Sequence, residues 1–360
     1  MNADCNNILN KENSLILRGM AIIAIMLHNF LHNQNLGFSA ENEMSFSEDR
    51  ATHFFNLITL GQCNGYEIFS FLGWTGVAVF IFLTGYGTFR NTPSNSWNDS
   101  CQYIKRQYIK LLILLLPAVV IFALGDLIQN QLFPNIFKRT IYLTMMANFA
   151  YPWVKCPPGV YWYFGLTFQF YVLYAFFGKY VNKTNLLLLS ILTLAGLAVL
   201  CLADVPNVLS VYRHCFTGWF VVFAIGVWLS REGGAALATK QFSILFLGLS
   251  LVLSSFLVLI MNWWMITWLF VPIVALMMFG SAGMLVLKSD VLSRLFKYVG
   301  RLSAAIFVCH PIIRFVINRY LLPHTDNMLI IVCIYVVSTF FFAVLYDMLY
   351  KKSLLIINRK

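Results

Sequence analysis

The chain alternates between long apolar stretches and short polar interruptions. A helix needs roughly 17–25 apolar residues to cross a hydrocarbon core about 30 Å thick. Ten stretches meet that demand, at about 15–33, 68–89, 109–130, 159–180, 186–204, 214–231, 242–261, 265–287, 303–321 and 329–350. The pattern predicts an all-α, polytopic membrane protein with about ten transmembrane helices. The first stretch follows a polar start of little positive charge, and no small-x-small cleavage pattern follows it. It is expected to stay as the first helix rather than leave as a signal peptide. A further apolar stretch near 140–151 is too short to span and is expected to lie in the interface or re-enter. Nothing reads as a separate soluble domain, an internal repeat or a low-complexity linker, so residues 1–360 are expected to form a single integral-membrane domain.

Composition narrows the class of function. The chain is 60% apolar, 16% aromatic and only 11% charged, with a mean hydropathy of +0.75. Soluble domains carry about 45–50% apolar and roughly 25% charged residues. So few charges cannot cover a water-facing surface, which excludes a soluble enzyme, a disordered chain and a nucleic-acid binder. The eight cysteines (Cys5, Cys63, Cys101, Cys156, Cys201, Cys215, Cys309 and Cys333) form no CxxC pair and no Cys/His cluster at zinc spacing. Neither a disulfide framework nor a metal site is read from them; one bridge between Cys63 and Cys156 stays open.

The net charge of +11 reads as orientation. With the N-terminus in the cytoplasm, 18 of the 25 Lys and Arg residues fall on that side of a ten-span arrangement. By the positive-inside rule both termini are expected in the cytoplasm, in a multi-pass protein of the cytoplasmic (inner) membrane. Two outside segments are long: 34–67, carrying Glu41, Glu43, Glu48 and Asp49, and 131–158, carrying four prolines.

Ionisable side chains inside spans are costly and read as functional by default. The first stretch holds Arg18, His28 and His32. Ten residues from Arg18 to His28 make about 15 Å of helix rise, placing the arginine near the inner headgroups and the histidine in the outer half. His28 and His32 share one helix face. A neutral imidazole can take a proton from a hydroxyl; the plainer reading is a pair of histidines capping the helix end. A second group is His310, followed by Pro311 and, four residues on, Arg314. Proline frees a carbonyl one turn back, so His310 reads either as part of a reactive cavity or as a structural histidine bonded to such a carbonyl. Cys309 points about 100° away from His310 and reads as a buried apolar thiol. Arg90, Lys105, Arg106 and Lys110 gather at the inner connection before the third span. They suit a phosphate-bearing ligand, or serve orientation alone. Gly73, Gly76, Gly85 and Gly87 in the second span fit close helix packing or a narrow channel.

Five segments in order resemble the acyltransferase-3 family of integral-membrane O-acyltransferases. LRGMAIIAIMLHNF from Leu17 is similar to its first-helix arginine-to-histidine signature. GVAVFIFLTGYGTFR from Gly76 and the basic, proline-ended IKRQYIKLLILLLP from Ile104 follow. VYWYFGLTFQFYVLY from Val160 and GRLSAAIFVCHP from Gly300 complete the series over Leu17–Pro311. Two positions depart from the family pattern: its arginine-to-histidine spacing lands on Asn29, one after His28, and Thr167 stands where many members have a glutamate.

The resemblance implies transfer of an acyl group, commonly acetyl, from a cytoplasmic acyl-CoA to a hydroxyl of an extracytoplasmic or lipid-linked glycan. It assigns His28, with Arg18 and His310, to catalysis, His28 being the general base or an acyl relay. Arg90, Lys105, Arg106 and Lys110 would hold the CoA phosphates. His32, Trp162, Gln169, Tyr171 and Arg314 would face the acceptor. The expected partners are membrane lipid, acyl-CoA as donor substrate and the glycan, with no permanently bound cofactor. A transporter of a small solute or lipid-linked sugar is the rival reading, although no internal repeat or matched pair of interrupted helices supports it. A purely structural membrane subunit would leave His28, His310 and Arg314 without purpose.

Overall fold

The structure is a computed structural model that describes residues 9–32, 36–89, 96–129, 132–150, 159–233 and 242–357. Helix α1 (Ser14–Leu31) runs through the middle of the bundle, with 67% of its length buried. Its residues are mostly apolar, with Ser14, Arg18, His28 and Asn29 as the exceptions. The amphipathic helix α2 (Glu48–Thr59) begins at Ser47, whose side chain accepts from the Arg50 N–H. Asn64 caps α3 (Gly65–Leu72) in the same way, accepting from the backbone of Tyr66 and Glu67. Such caps satisfy N–H groups that the first helical turn leaves open. A 3-10 turn at Gly73–Thr75 joins α3 to α4 (Gly76–Thr88), and the three pieces together form one apolar crossing element.

That turn sits where it does because of α1. A Cβ on Gly73 would lie 2.6 Å from both the Ala24 carbonyl oxygen and the His28 Cβ, and one on Gly76 would lie 2.7 Å from the Ala21 carbonyl. The glycines therefore serve close approach of backbones, one of the two uses the sequence leaves open. Gly87 has nothing within 4 Å and has no such role.

Helix α5 (Trp97–Ile128) starts twelve residues before the third expected span. At 32 residues it is about 48 Å long, so its basic first third extends beyond the hydrocarbon. Lys105, Arg106 and Lys110 thus lie on a helix and not in a loop. Helices α6 (Leu132–Leu143) and α7 (Ala147–Ala150) occupy the region of the short apolar stretch near 140–151, and neither is long enough to span. Arg139 on α6 forms a paired contact with Asp126 on α5, at 2.6 and 2.9 Å, clamping the two helices.

The order continues through α8 (Trp162–Phe177), α9 (Lys183–Leu202), α10 (Pro206–His214) and α11 (Phe220–Trp228). Then come α12 (Ile244–Met261), the single turn α13 (Met265–Trp268) and α14 (Val271–Val286). Helix α15 (Asp290–Arg301) forms in a connection that carries no span signal. Its Val291, Leu292 and Leu295 are exposed beside Arg294 and Lys297, the pattern of a helix lying at a membrane surface. Helices α16 (Ser303–Tyr320) and α17 (Met328–Ile357) close the bundle.

A helix occupies each of the ten expected stretches, and no strand occurs among the described residues. Among the described residues, seven of these elements are long and apolar enough to cross a membrane; Phe220–Arg231 and Val271–Val286 are shorter apolar helices. The protein is a multi-pass integral membrane protein. Its periphery is lipid-facing: only 17% of α9 and of α12 is buried, and leucines such as Leu188, Leu245 and Leu249 point outward.

Candidate active site

His28 lies near the C-terminal end of α1, 2% exposed. Its Nδ1 is 2.9 Å from the Ser70 carbonyl oxygen. A carbonyl only accepts, so Nδ1 carries the proton and Nε2 presents a lone pair. That Nε2 has no hydrogen-bond partner and lies 3.9 Å from Glu43 Oε2. The Ser70 carbonyl is itself held in place, because the Ser70 hydroxyl donates to the Ser39 carbonyl and the Ser39 N–H donates to Glu67. His32 stacks on His28, with ring centroids 4.8 Å apart and planes 11° apart, and its Nε2 is 4.0 Å from Glu41 Oε2. His28, His32 and Glu41 bring three donor atoms within 4.8 Å of one another. The stacked rings keep their in-plane lone pairs in two separate, near-parallel planes.

The glutamates reach the histidines because their loop folds inward. Arg213, at the end of α10, is 1% exposed. It donates to the Glu43 carbonyl through Nε at 3.1 Å and Nη2 at 2.7 Å, and to the Gly218 carbonyl at 3.2 Å. Its guanidinium sits 4.5 Å from the Trp219 ring, 4.9 Å from Trp268 and 6.0 Å from Trp74, an aromatic enclosure that suits a weakly hydrated planar cation. Trp268 Nε1–H adds a second tether, donating to the Asn42 carbonyl at 2.6 Å. Burial, and then the charge of Glu41, push the Glu43 carboxyl up from 4.5 to about 8, with Arg213 opposing. Glu43 is therefore largely protonated at neutral pH.

A cavity of about 220 Å³ runs beside this group. Arg18 lines one end, while Asn29 and Glu43 line the other. Eleven residues of α1 separate Arg18 from Asn29, about 16 Å of rise. Trp162, Tyr163, Thr167 and Tyr171 of α8 supply polar groups along an otherwise apolar wall that includes Ile25, Val77 and Phe307. The volume is below the roughly 300–1,000 Å³ of a whole-ligand pocket and suits a narrow end of a substrate. Asn29 and Thr167, the two positions that depart from the family pattern, both line it.

Of the residues singled out in the sequence, Arg18, Trp162 and Tyr171 line the cavity. His28 and His32 do not line it but stand beside its Glu43 end. His310 is buried on α16, with Nδ1 3.1 Å from the Ile306 carbonyl oxygen and Nε2 without a hydrogen-bond partner. Arg314 joins α16 to α1 by donating to the Asn29 carbonyl at 2.5 Å. Gln169 is engaged elsewhere: its Oε1 accepts from the Phe216 N–H at 2.8 Å and its amide nitrogen meets Cys215 Sγ at 3.6 Å. Lys105, Arg106 and Lys110 are exposed on α5 and do not line the cavity. Arg90 lies outside the described residues.

Glu43, Arg213 and the three tryptophans around it are the parts that the sequence does not single out. One signal was present. Arg213 belongs to the minority of basic residues that the positive-inside reading assigns to the outer side, where orientation gives a cation no purpose, and Trp219 lies six residues on.

No curated protein and no solved structure matches the chain. The acyltransferase domain family, Acyl_transf_3, matches residues 15–348, which take in every helix that builds the cavity and its histidines. Through that match across nearly its whole length, the chain belongs to the acyltransferase-3 family and is a membrane acyltransferase.

Proposed function

We propose that the protein is an O-acyltransferase that moves a short acyl group, acetyl in the first instance, from cytoplasmic acyl-CoA to a hydroxyl of an extracytoplasmic or lipid-linked glycan. It works as a ten-span protein of the cytoplasmic membrane with both termini inside. The observation that carries this reading is the cavity, which joins a cation at Arg18 to a proton-accepting group at the outer end. A narrow passage of this kind suits an acyl thioester delivered from one membrane face to a hydroxyl presented from the other.

In this reading Lys105, Arg106 and Lys110, with Arg90, hold the CoA phosphates at the inner mouth through charge-assisted hydrogen bonds. Arg18 steers the thioester arm into the cavity. Trp162 and Tyr171 line the path of the reacting ends. The Nε2 lone pair of His28 supplies the basicity that draws the hydroxyl proton away, and its Ser70 bond keeps it in the tautomer that can do so. His310 and Arg314 hold the outer end of α1, while Gln169 and His32 shape the acceptor side. Acyl-CoA enters as donor substrate, and no resident cofactor is required.

The test uses membrane vesicles containing the full chain, labelled acetyl-CoA on the cytoplasmic face and lipid-linked oligosaccharide as acceptor. Label is expected in the glycan with wild type and lost with His28→Ala. Transfer at the wild-type rate in His28→Ala removes the role given to this histidine.

A further inference from the structure

We propose that Glu43 is the group that exchanges a proton with the acceptor hydroxyl inside the cavity, and that His28 is a positioning residue behind it. The proposal rests on the acyltransferase reading above and assigns the reacting atom within the same site.

The geometry separates the two residues. Glu43 lines the cavity with its side chain 13% exposed, whereas His28 is 2% exposed and is not among the described residues that line it. A substrate hydroxyl in the cavity meets the carboxyl first. Behind the carboxyl, at 3.9 Å, waits an unpartnered Nε2 lone pair whose tautomer is set by the Ser70 carbonyl. That separation exceeds a direct hydrogen bond, and a small side-chain rotation on substrate binding closes it. The charged and titratable groups facing Glu43 are His28 from α1, Glu41 from its own loop and Arg213 from α10. Arg213 gives its hydrogen bonds to the Glu43 backbone carbonyl, so it fixes the loop without locking the carboxyl in an ion pair. A structural glutamate would be tied to that guanidinium. This one faces an open passage.

The step balances without any added reagent. The carboxyl proton moves to His28 Nε2, giving carboxylate and imidazolium. The acceptor O–H bond breaks and its proton goes to the carboxylate while the oxygen forms a bond to the acyl carbon. The carbon–sulfur bond of the thioester breaks, its electron pair stays on sulfur, and sulfur takes one proton from the Glu43–His28 pair. The products are the ester and the CoA thiol, with the pair back in its starting state.

Two measurements on the full-length protein in vesicles test this. In the first, Glu43→Gln keeps the size of the side chain but cannot exchange a proton. With labelled acetyl-CoA and lipid-linked oligosaccharide, kcat is expected to fall by about 100-fold or more with the donor KM little changed, and Glu43→Asp to restore part of the rate. A wild type that labels glycan beside a Glu43→Gln variant at half its kcat or more overturns the proposal; a wild type that labels nothing overturns the acyltransferase reading instead. The second measurement needs no turnover. Infrared difference spectra over a pH titration should contain a carboxylic-acid carbonyl band that persists at neutral pH, fades as pH rises through about 8 and is missing in Glu43→Gln. Removing the neighbouring nitrogen with His28→Leu should move that titration. A Glu43 band that titrates near 4.5 overturns the proposal.

Discussion

The Glu43 end of the cavity and the basic stretch of α5 are built on opposite principles. At the Glu43 end most polar groups are enclosed, and distant parts of the chain hold several of them: Ser70 sets His28, Arg213 holds the Glu43 backbone and Arg314 the Asn29 backbone. On α5, away from the cavity lining, Lys105, Arg106 and Lys110 are exposed. In a low-dielectric site, fixed dipoles and charges act strongly and need little reorganisation. In water the same charges are screened within about 10 Å, which suits capture of a charged ligand that must also leave. On the proposed function, fixed geometry serves the chemistry and exposed charge serves recruitment.

The comparison breaks most readily at Arg213. Arg213→Met removes a buried cation and leaves the Glu43 and Gly218 carbonyls without their donor, at a cost of roughly 3 kcal/mol. The expected result is a clear drop in the thermal midpoint together with loss of transfer. An unchanged midpoint would mean that the loop holds itself in place. Next in size is Gly73→Val, which pushes the 3-10 turn away from Ala24 and His28. Overpacking of this kind costs about 1–3 kcal/mol, and transfer is expected to fall by roughly tenfold or more while the protein still inserts. On α5, replacing Lys105, Arg106 and Lys110 together by Ala should raise the donor KM by about tenfold, leave kcat unchanged and weaken the salt dependence of KM. A fall in kcat would show that these cations act in the chemical step. The smallest effect belongs to Gly87→Ala, expected to match wild type in both rate and stability because open space receives the methyl group.

The apolar helices were legible because length and apolarity alone mark a membrane helix, and seven of them are long and apolar enough to cross among the described residues. Helix α15 was not, since half its residues are polar and its fit depends on α1, where Gly19 meets the Phe296 backbone and Gly300 meets that of Leu15. The first third of α5 escaped for the same reason: basic residues read as loop until something shows them to be helical. At the site, Arg18, His28, Trp162 and Tyr171 stood out because they interrupt apolar runs. Glu43 did not, because an acid in an outside loop looks like ordinary solvated surface. Only the inward fold of that loop, held by Arg213 and Trp268, gives it another environment. Gln169 shows the converse, an amide that looks poised for substrate yet is engaged with the backbone of Phe216.

The tethers of that loop also bear on how the protein is made. Arg213 lies 170 residues after Glu43, and Trp268 lies 226 residues after Asn42. During synthesis α1 and its histidine therefore reach the membrane long before anything can fasten the carboxyl beside them. A chain interrupted before α13 holds His28 but lacks Trp268, and one interrupted before α10 lacks both tethers. Neither half-made copy has the full set of contacts that holds Glu43 beside His28.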